Sequence, residues 1–83
     1  MNKHILLVMK WLNDKDSVSR EELAKNKRGA YVSHEAYAVD YAAYAAAYAA
    51  YAGYAVGFAG YWVDKYFKRT GEDRTHYEKE LEK

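Results

Sequence analysis

Between residues 41 and 54 the chain contains only tyrosine, alanine and one glycine, and this run constrains the fold more than any other feature. Alanine is the strongest helix former, and no proline occurs anywhere, so the sequence permits a long helix. Tyrosine or phenylalanine stands at 37, 41, 44, 48, 51, 54, 58 and 61, in steps of three and four that keep an aromatic stripe on one helical face. Steps averaging about 3.5 match a left-handed supercoil, and the consecutive steps of three at Tyr48, Tyr51 and Tyr54 overwind it locally. Ala42, Ala46, Ala49, Gly53, Gly57 and Gly60 lie roughly opposite the early tyrosines, on a face smooth enough for another backbone to approach closely. An aromatic seam and a smooth seam on one helix predict self-association, with the tyrosines of one copy packed on the alanine/glycine seam of the next.

The flanks add two short helices. Ile5, Val8 and Leu12 fall at helical spacing, with Leu6, Met9 and Trp11 widening the apolar face, which predicts a helix over 3–13. Lys3 followed by Ile5–Met9 has the look of a signal peptide, but Lys10 interrupts the apolar run and no small-residue cleavage site follows. Ser19 with Glu22 is a capping-box pattern, so a second helix begins at about residue 20. A continuous helix from 20 to 69 would be about 75 Å long. Its weak points are Gly29, Ser33, Gly53, Gly57 and Gly60, with each glycine costing roughly 1 kcal/mol against alanine; a break near 29–33 is left open. Gly71 after Lys68, Arg69 and Thr70 is a stop, and Asp73 can cap a last helix over 74–82 that carries Tyr77 and Leu81 on one face. That face can fold back on Trp62, Tyr66 and Phe67. The expected architecture is a single all-α domain over 1–83: a short N-terminal helix, one long Ala/Tyr-rich helix and a short C-terminal helix, assembled as an oligomeric helical bundle or coiled coil.

The composition supports assembly and narrows the function. A chain of 83 residues buries little surface, and small folds recover stability through disulfides, metals or oligomerisation. There is no cysteine, and His4, His34 and His76 have no ligand spacing, so no metal site is expected and oligomerisation remains. A net charge of +1 fits neither a DNA mimic nor a nonspecific DNA binder. No phosphate loop, nucleophile motif or HExxH is present, which points to a protein that is not an enzyme and needs no cofactor. The absence of cysteine suits a cytoplasmic location.

One constellation suggests binding. His34, Tyr37, Asp40, Tyr41 and Tyr44 share a helical face, and Asp40 is the only charge between Glu35 and Asp64. A carboxylate beside phenols accepts their hydrogen bonds; the plainer alternative is a solvated edge residue or a register device. Eight tyrosines between residues 31 and 61, where leucine would give simpler packing, imply a partly wet face. Tyr37, Tyr41, Tyr44, Tyr48 and Tyr51 can form a packing seam or stack nucleobases, with Arg28, Lys25 and Lys27 upstream to meet phosphates. Residues 41 to 63 carry no charge, long enough to span a bilayer, and Gly53 and Gly57 form a GxxxG pair. Tyrosines spread along the whole segment, instead of gathering at its ends, argue against a span.

Lys10-Trp11-Leu12, Ser17-Val18-Ser19-Arg20-Glu21-Glu22-Leu23, the Ala/Tyr repeat, Tyr61-Trp62-Val63, Tyr66-Phe67 and Thr70-Gly71-Glu72 together resemble small alanine- and tyrosine-rich accessory proteins of T4-like tailed phages. The resemblance spans most of the chain. It implies an anti-defence role in the host cell: sequestering a nucleotide-like signal between subunits, or blocking a host defence protein. A structural coiled-coil assembly and a small holin-like membrane-active protein are the alternatives, and the resemblance brings no binding residues with it.

Overall fold

The first helix is fixed at its start by one side chain. Asn2 accepts hydrogen bonds from the backbone N–H groups of His4 and Ile5 at 3.0 and 3.1 Å, satisfying two donors that a helix end leaves without partners. In the computed structural model, which describes residues 1–33 and 37–83, α1 then runs over Lys3–Asn13. It buries Ile5, Val8, Met9 and Trp11. A polar turn leads to Ser19 and Glu22, which form the reciprocal capping box at 3.0 and 3.1 Å. From there α2 covers Arg20–Ser33 and passes through Gly29 without a break.

Gly29 is retained by packing. A Cβ built there would lie 3.0 Å from the His4 ring, tighter than an ordinary contact, so any larger residue would have to push that ring aside. The ring is locked on its other side, with His4 Nδ1 2.8 Å from the Asn26 carbonyl oxygen and the Asn26 amide donating to the His4 carbonyl at 3.2 Å.

The expected 75 Å helix is not formed. Over the described residues its span holds three helices: α2, α3 (Tyr37–Ala49) and α4 (Val56–Thr70), the last preceded by a 3₁₀ turn at Gly53–Ala55. The described residues fit in 31 × 28 × 20 Å. Ala52 is extended, and the amides of Tyr51 and Ala52 both reach back to the Tyr48 carbonyl at 3.0 Å, closing α3. Magnitudes explain the outcome. Alanine's advantage over other helix formers is a fraction of a kcal/mol, whereas burying one branched side chain such as Val63 is worth about 1.5–3 kcal/mol. A straight helix would leave Ala59, Val63 and Tyr66 in water; the turn buries all three.

The fold is all-helical, with five α-helices and no strand among the described residues. The middle helix α3 packs against α1, α2 and α4. Its alanines at 38, 42, 43, 45, 46 and 49 are all buried, and their small size lets three helices close around it. Phe67 closes α4 through the Gly71 amide at 3.0 Å, with Gly71 at φ +71°, and Asp73 caps α5 (Arg74–Leu81) by accepting from Thr75. Tyr77 carries α5 into the core, edge-on to Phe67 at 4.9 Å.

Candidate functional site

The side of α3 that does not enter the core carries Tyr37, Tyr41, Tyr44 and Tyr48, each about half exposed. Their spacing of four, three and four places them on one face, and the alanines between them are drawn inward. Two clefts open on either side of this row.

The first, of about 450 Å³, lies between α2 and α3 and is lined by Lys27, Arg28, Tyr31, Val32, Asp40, Tyr41 and Tyr44. Helical spacing builds each wall: Lys27 with Tyr31 and Arg28 with Val32 on α2, Asp40 with Tyr44 on α3. The Lys27 ammonium lies 5.6 Å from the centre of the Tyr44 ring, within cation–π range. Asp40 is half-buried, and among the described residues the ion pairs are Arg74 with Asp64 and Lys83 with Glu80, so neither cation of the cleft neutralises it.

The second cleft, of about 500 Å³, lies between α3 and α4 and is lined by Tyr41, Tyr44, Ala45, Tyr48, Ala55, Phe58 and Trp62. It carries no charge. Tyr41 and Tyr44 line both clefts, and Tyr41 stacks on Trp62 with centroids 4.8 Å apart and planes 28° apart. At its far end the Tyr48 and Tyr54 hydroxyls pair at 3.0 Å, which pushes the Tyr48 phenol up from its ordinary value.

Of the residues expected to bind, Arg28, Asp40, Tyr41 and Tyr44 meet in the first cleft. Tyr48 lines only the second. Tyr37 sits edge-on to Tyr41 and Trp62, with the Arg69 guanidinium 4.4 Å from its ring centre, while Tyr51 lies under Arg20 at 4.9 Å. His34 falls outside the described residues. The expected phenol-to-Asp40 hydrogen bonds are absent among the described residues. Lys25 lies elsewhere, in a groove with Lys3, His4, Leu7, Glu22 and Asn26. Tyr31 and Val32 were not singled out by the sequence; their signal is the four-residue step from Lys27 and Arg28.

The six positions of the expected smooth seam separate. Ala42, Ala46 and Ala49 are buried inside the chain, whereas Gly53 and Gly57 are exposed and Gly60 half-buried. A Cβ at any of these glycines would meet nothing within 4 Å. The alanine face is taken up by the chain's own helices because the turn at 50–55 brings α4 against it.

A polar cluster also ties α5 to the rest of the fold. Tyr77 donates to Glu72 at 2.5 Å and accepts from the Asn2 amide at 2.6 Å, and Tyr66 donates to the other Glu72 oxygen. The two phenols hold the Glu72 carboxyl below the usual carboxylate range, and burial, reinforced by the carboxylate, pushes both phenols up.

Among the described residues no set of three His, Cys, Asp or Glu could hold a metal ion, and no helix is long and apolar enough to cross a membrane. Comparison with protein-family models, with curated proteins and with solved structures finds no match.

Proposed function

We propose that this chain is a non-enzymatic, self-associating binding protein that holds a nucleotide-like molecule in the cleft between α2 and α3. One observation carries the reading: two cations, a carboxylate and three tyrosines converge on a cleft of about 450 Å³. That volume lies within the range of small-molecule sites, about 300–1,000 Å³. Tyrosine faces suit a flat base, each stack being worth about 1–3 kcal/mol, and Lys27 and Arg28 suit a phosphate. The resemblance to phage accessory proteins fits sequestration of a host signal in the cytoplasm.

Self-association rests on the second cleft and its rim. Tyr48, Tyr54, Phe58 and Tyr61 are each about half or more exposed, and this uncharged aromatic surface suits a second copy of the chain. The same surface supports the alternative in which a protein is bound and blocked. The holin-like alternative is not favoured by helices of this length.

Native mass spectrometry of the protein taken from cells without detergent tests the proposal. A discrete oligomer carrying a reproducible small-molecule mass is expected. A bare oligomer in every preparation would move the function to protein blockade, and a bare monomer would remove both parts.

A further inference from the structure

The cleft between α2 and α3 is polarised along its length. Lys27 stands over Tyr44, which puts its ammonium beside that part of α3, and Arg28, the next residue, lines the same cleft. Asp40 lines the same cleft one helical turn back from Tyr44, about 6 Å along the helix axis. On the opposite wall, Tyr31 is one turn along α2 from Lys27. A cation over the Tyr44 ring and, one turn back on α3, a carboxylate that pairs with neither cation make an asymmetric site with phenol rings in its walls.

The carboxylate restricts which base that site can take. An ionised carboxylate accepts hydrogen bonds and donates none. Guanine presents two adjacent donors, N1–H and N2–H, on one edge, spaced for the two oxygens of a single carboxylate. Adenine and cytosine place one donor beside a ring-nitrogen lone pair, which the carboxylate repels. Uracil places its N–H between two carbonyl oxygens.

From this we infer that Asp40 makes the cleft selective for guanine nucleotides, with the base edge on Asp40, its face against Tyr41 and the phosphate on Lys27 and Arg28. Tyr41 is pre-set for this role by its stack on Trp62 from the α4 side. The inference rests on the nucleotide reading given above and adds the identity of the base.

Calorimetric titration with guanosine 5′-monophosphate and adenosine 5′-monophosphate tests it. The guanine nucleotide is expected to bind at least about tenfold more tightly, the scale of one bidentate base contact. Asp40→Asn replaces two acceptors with one acceptor and one donor, the complement of adenine, and brings the ratio to one or below. Asp40→Ala loses the guanine preference without gaining adenine affinity. Circular dichroism confirms that both variants keep their helices, and Lys27→Ala weakens both nucleotides alike. Equal affinities in the unmodified protein, or a ratio unchanged in both Asp40 variants, would overturn guanine selection and leave the nucleotide reading standing. No binding of either nucleotide at millimolar concentration would overturn both.

Discussion

Glu72 and the two phenols on it show how a small polar cluster can shape the pH range of the fold. Glu72 accepts from Tyr66 and Tyr77, and this pulls its folded pKa below the unfolded value of about 4.3. Its contribution is therefore complete above that value and disappears as pH falls through the lower folded pKa. The phenols are shifted the other way. Their contribution is complete below about pH 10 and is lost as pH rises through their raised values. Denaturant midpoints measured from pH 3 to 11 should show a plateau between roughly pH 5 and 10, with a fall on each side. Glu72 is largely in water, so Glu72→Gln should cost only about 1 kcal/mol and flatten the acid limb. The buried pair His4 and Asn26 is less forgiving. Asn26→Leu removes the partner of the His4 ring and of its carbonyl, and should cost about 1–3 kcal/mol by denaturant titration, without changing the exposed clefts.

At the scale of elements, the glycines divide by what surrounds them. Gly57→Ala should stabilise α4 by about 0.5–1 kcal/mol, because its Cβ would enter open space and the helix gains propensity. Gly29→Ala should not stabilise, since the new Cβ presses on a His4 ring that Asn26 holds in place. Comparing the two thermal midpoints, expected to differ by several degrees, checks the contrast. Ala46→Leu should lower stability by about 1–3 kcal/mol in the isolated chain through overpacking, because Ala46 is fully buried where helices close around α3.

What the sequence reveals about these elements follows the range of the forces. The capping box at Ser19 and Glu22, the Gly71 stop and the Asp73 cap are local hydrogen-bond or backbone requirements, and the residue types declare them. The end of α3 depends on burying Val63 and Tyr66 against other helices, which composition around the turn does not encode; the paired three-residue steps at Tyr48, Tyr51 and Tyr54 mark the place without stating its meaning. The candidate site divides the same way. Asp40, Tyr41 and Tyr44 share one helix, so periodicity groups them. The sequence offers Lys25, Lys27 and Arg28 alike as upstream cations; only the packing of α2 beside α3 selects Lys27 and Arg28 and brings Tyr31 with them.

Across the whole molecule, α3 turns its alanines inward and its tyrosines outward, while Tyr66 and Tyr77 are kept for the core. The resulting aromatic surface over α3 and α4 is expected to drive self-association, and Phe58→Ser with Tyr54→Ser should shift sedimentation towards monomer while leaving helicity intact. The two tryptophans then play unequal parts. Trp11 is buried within α1, away from both clefts, whereas Trp62 is stacked on Tyr41, one of the two rings that line both. The protein thus carries a built-in optical gauge beside a silent internal standard. Displacement of Tyr41 from the α2 side is expected to change the emission of Trp62 on the α4 side, so occupancy of one cleft should be readable, without a label, through the wall of the other.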